Sequence, residues 1–196
     1  SLFTVPKGII LTPECLNYFV IDETNYEKLI LPEIENIFPI KESTPYAVRS
    51  CGSNEDGSGG SLAGKFDTVL NVKKSGMKKA IRSVIRSFNS PEQNSDAVII
   101  QEMADVDIAG VMFTAAPDNP FLTLIEYAEG LADRLVSGMV VPAQIFIGNC
   151  SGHILGGQEE TSLTPREKDS RFYQHLFIVG KYIEENFNHP QDIEWG

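Results

Sequence analysis

The residues with types and spacing suited to chemistry cluster in Tyr46 to Asn71, which reads YAVRSCGSNEDGSGGSLAGKFDTVLN. An apolar run ends in Arg49, and then Gly52, Gly57, Gly59, Gly60 and Gly64 are interspersed with Ser50, Ser53, Ser58 and Ser61. Glycine lets backbone N–H groups approach an anion without an intervening side chain, and serine adds hydroxyl donors. An arginine at a strand end supplies a planar fork that matches phosphate oxygens. A flexible linker is the alternative for any Gly/Ser run. Here Arg49, Glu55, Asp56 and Lys65 break the low complexity, and Thr68 to Leu70 reads again as strand, which favours a phosphate loop. A second group lies near the end of the chain, where Asp192 and Glu194 are two apart in DIEW. On a strand that spacing points both carboxylates to one face and Ile193 and Trp195 to the other. Two carboxylates so placed can hold a hard divalent cation such as Mg2+, or can simply be the solvated side of an edge strand.

The remaining titratable groups form no such set. His153, His175 and His189 share no spacing, and Cys15, Cys51 and Cys150 give neither a disulfide framework nor a zinc pattern. Scattered cysteines in odd number fit a reducing, cytoplasmic setting. No apolar run approaches membrane-spanning length, so no membrane partner is expected. A net charge of -11 argues against nucleic acid as partner, and does not oppose a nucleotide held by local donors and metal. With 196 residues, 42% of them apolar, the chain suits one domain or two small lobes sharing a cleft. Its opening SLFTVPKG does not resemble a natural start, and a fragment of a longer protein is expected.

Several elements must position these groups. Lys7 to Leu11 reads as a strand, and Thr12-Pro13-Glu14 as an N-cap, a first-turn proline and a favourably placed acid, which predicts a helix to about Val20. Asp22 to Ser43 is expected to be irregular because Pro32 and Pro39 interrupt weak spacing. Met77, Ala80, Ile81, Val84, Ile85 and Phe88 define a helix whose Lys78, Lys79, Arg82 and Arg86 are expected on a solvated face. Asn89 to Asp96 is a polar break. Strands are expected at Ala97 to Gln101, Ile108 to Thr114 and Leu122 to Tyr127, with Asp105-Val106-Asp107 as the turn between the first two. Gln144 to Ile147 and His153 to Leu155 flank a hairpin-like Gly148-Asn149. Thr164 to Glu167 is a capping box, opening a helix with the stripe Phe172, Leu176, Val179, Ile183 and Phe187 that ends near Asn188.

Three blocks resemble the N-terminal ATP-grasp domain of the phosphoenolpyruvate synthase and pyruvate phosphate dikinase family, which includes the rifamycin phosphotransferases. They are AVRSCGSNEDGSGGSLAGKFDTVLNV, then VIIQEMADVDIAGVMFTAAP with IEYAEGLADRLVSGMVVP, and finally PQDIEW. The opening VPKGIILTPECL is also similar to the family's early segment, and the blocks fall in the family's order. The resemblance implies an α+β ATP-grasp fold, with lobes at residues 1–100 and 101–196 and a nucleotide cleft between them. It implies that Arg49 meets the phosphates and that Ser61, Ala63 and Gly64 belong to the covering loop. Gln101, Glu102 and Met103 become the hinge against which adenine packs, and Asp192 and Glu194 the strand facing metal and phosphates.

The activity so implied is phosphoryl transfer from ATP with Mg2+ to a carrier histidine on a separate domain, with a pyruvate-binding domain beyond it. This chain encodes neither domain. The family's glycine-lysine motif is expected before Ser1, and its glutamine- and arginine-bearing strand after Gly196. Lys65 replaces a common glutamine, and Ala132-Asp133 replaces Gly-Glu. Two alternatives follow from those departures: a shortened nucleotide-binding module acting as a regulatory partner, and a small-molecule kinase of the rifamycin-phosphorylating sort. Whether cleavage leaves AMP or ADP is open.

Overall fold

A computed structural model describes residues 2–51, 68–88, 96–130, 141–158 and 170–196. The glycine loop with Ser61, Ala63 and Gly64, the break after Phe88, Ala132-Asp133 and the Thr164 capping box lie outside the described residues. The described part is mixed α/β, with two antiparallel sheets and four α-helices. It divides into two compact units: Val5–Ala104, and Asp105–Gly196 together with Ser1–Thr4. Gln101 and Glu102 fall in the last strand of the former, and Met103 just after it.

In the unit Val5–Ala104, β1 (Gly8–Leu11), β2 (Tyr46–Cys51), β3 (Thr68–Val72) and β4 (Ala97–Glu102) form a sheet in the order β1-β4-β2-β3. Helix α1 (Pro13–Ile21) starts as its sequence dictates: Thr12 Oγ1 accepts the Cys15 N–H at 3.5 Å, and Pro13 occupies the first turn, where a missing N–H costs nothing. The stretch after Asp22, expected to be irregular, is helical in its first part, where a π-turn (Tyr26–Ile30) runs directly into α2 (Leu31–Ile37), and is irregular from Phe38 to Ser43 as expected. Pro32 does not break it because it falls in the first turn of α2, and the Leu31 N–H closes the π-turn on the Tyr26 carbonyl. The apolar stripe of α3 (Met77–Ser87) buries Met77, Ala80, Ile81 and Val84. With Tyr46, Val48, Val98 and Ile100 from one face of the sheet, and Phe19, Ile30 and Ile34 from the helices, they make one core.

The basic face of α3 is more engaged than expected. Lys78 pairs with Glu27 at 2.7 Å, Arg82 pairs with Glu23, and Lys74, in the 3-10 turn before α3, reaches Glu35 at 2.8 Å. These bases tie the sheet's helical cover together from outside the core.

In the second unit, β5 (Ile108–Phe113), β6 (Leu122–Glu129), β7 (Ala143–Gly148), β8 (Ile154–Gln158) and β9 (Asp192–Trp195) form a sheet in the order β8-β7-β6-β5-β9. The hairpin around Gly148-Asn149 is the β7–β8 pairing. Helix α4 (Ser170–Phe187) covers one face. Met112, Ile125, Tyr127, Ala143, Ile145 and Ile147 meet Tyr173 there, with Ile193 and Trp195 packed at the margin. The expected stripe is shifted at its ends. Tyr173 is buried, its hydroxyl 2.5 Å from that of Tyr127, whereas Phe187 is 62% exposed and meets only the His189 ring edge-on among the ring contacts described. No helix among the described residues is long and apolar enough to cross a membrane.

Candidate active site

Alternation along each strand decides which side chains leave the core. In β2, Tyr46 and Val48 enter the core under the helices, so Ala47 and Arg49 occupy the opposite face. In β4, Val98 and Ile100 do the same, which leaves Ile99 and Gln101 on that opposite face. The register places Arg49 between Ile99 and Thr68, and Gln101 between Ala47 and Gly8. Arg49 and Gln101 are therefore diagonal neighbours on adjacent central strands, at a spacing of about 7–8 Å. The structure brings these two predicted residues together on the face opposite the described helices of their unit.

The end of β4 is tightly held. The Glu102 N–H donates to the Lys7 carbonyl at 2.8 Å, and the Met103 N–H to the Pro45 carbonyl at 3.0 Å. Gln101 Nε2 reaches the Pro6 carbonyl at 3.3 Å. Asn71, with φ of 57°, forms a bulge where β3 pairs with β2, and its N–H donates to Met103 Sδ at 3.1 Å. The backbone donors of Glu102 and Met103 are thus already used inside their own unit. Among the described residues no hydrogen bond engages the Ala104 N–H.

Asp192 and Glu194 lie in the other unit. Their strand β9 is the margin of the five-stranded sheet, paired so that Phe113 faces Asp192 and Val111 faces Glu194. Both carboxylate residues are exposed, and Ile193 and Trp195 turn inward, as the alternation predicts. Thr114 secures the start of β9: its hydroxyl accepts the Gln191 N–H at 2.8 Å and its own N–H donates to the Gln191 carbonyl at 2.9 Å. The Thr114 carbonyl accepts from Asn149 Nδ2 and Lys181 Nζ, each at 3.1 Å, so a buried polar knot fixes the strand's entry.

Two residues of this face carry no role in the sequence reading. Val111 is opposite Glu126 on its other side, and Glu126 is opposite Gln144. Gln144, Glu126, Val111 and Glu194 therefore form one row across four strands, away from α4. Gln144 Nε2 donates to Glu126 Oε1 at 2.6 Å, which fixes the carboxylate's orientation. The signal was present, since Glu126 interrupts the apolar LTLIEYA at an outward position. Among the described residues no three His, Cys, Asp or Glu side chains converge on one point.

Two antiparallel sheets with their helices make the described part a mixed α/β protein. The sequence matches, over residues 23–196, the family described as pyruvate phosphate dikinase, AMP/ATP-binding domain, and the chain belongs to that family. It is 29% identical to a protein named probable phosphoenolpyruvate synthase from Methanothermobacter thermautotrophicus, over 79% of this chain and 28% of that protein. It is 30% identical to a rifampicin phosphotransferase from a Streptomyces species, over 79% of this chain and 22% of the relative. A prodigiosin-synthesising transferase from Serratia marcescens is 35% identical over 55% of this chain and 14% of its own length. The chain spans less than a third of each of these relatives.

Proposed function

We propose that the chain is the ATP-binding, phosphoryl-transferring unit of an ATP-grasp phosphotransferase, with two lobes and the nucleotide between them. One observation carries this reading: Arg49 stands beside Gln101 on the face opposite the described helices of their unit, immediately ahead of the glycine-serine run. There a guanidinium neutralises charge on phosphate oxygens. Adenine would lie against the residues that follow Gln101. Because the Glu102 and Met103 N–H groups are already bonded, the base would take its donor from Ala104 and its acceptor from a carbonyl of the same stretch. Asp192 and Glu194 would hold Mg2+, and when bound the ion offsets triphosphate charge. Ser61, Ala63 and Gly64 would cover the phosphates.

The chain's own groups bind and orient ATP, and none need act as nucleophile. The phosphoryl group would pass to a carrier histidine on another domain, in a cytoplasmic enzyme of the dikinase type. A second reading has equal support from the comparisons: relatives named as synthase and as rifampicin phosphotransferase match at 29% and 30% identity. Under that reading the acceptor is a small-molecule hydroxyl, and the ATP half of the reaction is unchanged.

Equilibrium titration with ATP and GTP, with and without Mg2+, tests the shared part. Saturable binding that favours ATP and strengthens with Mg2+ is expected, and Asp192→Ala or Glu194→Ala should remove the Mg2+ dependence while leaving the thermal midpoint nearly unchanged. Equal affinity for GTP, or Mg2+ dependence that survives both substitutions, would return these carboxylates to a solvated edge.

A further inference from the structure

Strand β3 carries one residue more than its pairing with β2 requires. Val48 is opposite Val69 and Tyr46 is opposite Val72, so Leu70 and Asn71 together oppose Ala47. Both valines turn toward the helices although they are three apart: Val72 lies in the core and Val69 packs against it. Residues three apart cannot share a face of a regular strand, and the alternation is reset at Asn71, whose φ is 57°. After glycine, asparagine is among the residues that enter this left-handed region most readily.

The bulge has a second effect, on Met103. The Asn71 N–H donates to Met103 Sδ at 3.1 Å, and the Met103 N–H donates to the Pro45 carbonyl at 3.0 Å. The bond to Pro45 continues the β2–β4 pairing by one residue, so alternation puts Met103 on the face that carries Gln101 and Arg49. Because β2 lies between β4 and β3, the Met103 side chain reaches over the start of β2 to meet β3.

Register alone explains the extra residue, since it returns Val72 to the core. It does not explain why a half-buried side chain is tied to that residue. Methionine has three rotatable bonds and ordinarily adapts to its surroundings. Here backbone and sulfur are both held, directly before Ala104, whose N–H no described hydrogen bond engages.

We propose that Asn71 is a positioning residue for base recognition: its bulge fixes the Met103 thioether as the platform against which the adenine ring of ATP lies. The proposal rests on the ATP-binding reading above and adds to it a residue of β3, the strand that follows the glycine-serine run. Thioether sulfur attracts aromatic rings, and a platform already fixed need not be ordered when the base arrives.

Titration of the intact protein with ATP and with inorganic tripolyphosphate separates base from phosphates. Asn71→Val disfavours the left-handed φ, and Met103→Ala removes the platform while keeping its backbone bonds. Each should weaken ATP binding by about three- to tenfold and leave tripolyphosphate binding unchanged. Asn71→Gly keeps both the N–H and the left-handed φ, and should restore native ATP affinity. In carbon-13 methyl spectra the Met103 signal, assigned by its loss in Met103→Ala, should shift in Asn71→Val and stay in place in Asn71→Gly. If Asn71→Val unfolds, Met103→Ala and the milder Asn71→Ala decide. Native ATP affinity after substitution at either residue, Asn71→Gly excepted, overturns the proposal, as does an equal loss of ATP and tripolyphosphate binding. Tripolyphosphate bound as tightly as ATP by the unaltered protein overturns the adenine reading itself, and this proposal with it.

Discussion

Arg49 sits at a position where length of side chain and shape of charge can be separated. It lies on the face of a central strand opposite the described helices of its unit, with Ile99 and Thr68 as its cross-strand neighbours, so its direction is set by the sheet rather than by the glycine run that follows. A guanidinium held this way interacts more strongly with a phosphoryl group in transfer than with ground-state ATP, and its loss should affect rate more than affinity. Lysine keeps the charge and loses the two-pronged donor. In the catalytically active protein, Arg49→Lys and Arg49→Ala should both lower single-turnover transfer from labelled ATP by about a hundredfold or more. ATP binding should fall much less. Turnover at the unaltered level in both variants would make Arg49 a structural arginine.

Strand β9 carries its carboxylates correctly only if its inner face can dock, and a glycine decides that. Gly110 is opposite Trp195, and a Cβ there would lie 2.8 Å from the indole ring and against the Glu126 carbonyl. The ring in turn rests on Tyr127 and Phe172 at centroid distances of 6.2 and 5.6 Å. Gly110→Ala should therefore displace Trp195 and cost about 1–3 kcal/mol or more. Since Trp195 is the single tryptophan, the displacement is readable as a change in its emission. A variant with unaltered emission and midpoint would show that β9 tolerates the intrusion.

The helical cover of the other sheet is held partly by carboxylates that depend on pH. Glu42 accepts from the Ser75 N–H at 2.9 Å and from its hydroxyl at 2.7 Å, and these bonds hold its pKa below the ordinary 4.5. The Lys78 ammonium does the same for Glu27. A depressed folded-state pKa contributes stability that is present above the unfolded value and lost as pH falls through the folded one. The gap in thermal midpoint between the native chain and a Glu27→Gln, Glu42→Gln variant should be full at neutral pH and close below about pH 4.5. A gap that widens on acidification would contradict the assigned bonds.

At the scale of the molecule, legibility followed periodicity. The strands, α3 and α4 announced themselves because their apolar spacing coincides with real cores, and DIEW alternates in space as it does in sequence. Asp22 to Ser43 misled only in its first part, because Pro32 suggested a break where a first-turn proline is compatible with a helix, whereas the helix does end at Ile37 ahead of Pro39. The ion pairs of α3 and the Glu126–Gln144 bond could not be read, since each joins residues far apart in sequence through geometry alone. Likewise, no local pattern reveals that the Met103 N–H is committed to Pro45.

Each unit has its own buried cluster, and the two clusters share no residue. Truncation within one should therefore be felt first by that unit. Ile81 and Ile125 are both fully buried, one in each cluster. Ile→Ala at either costs about 2–5 kcal/mol by lost transfer energy and residual cavity. Trp195 belongs to the cluster of Ile125, so its fluorescence reports that unit alone, while far-ultraviolet circular dichroism reports both. In denaturant titrations Ile125→Ala should move the Trp195 transition to lower concentration. Ile81→Ala should leave that transition near its native position and shift only part of the dichroism change. If Ile81→Ala moves both signals together by the same amount, the chain unfolds as a single cooperative body and the two cores act as one.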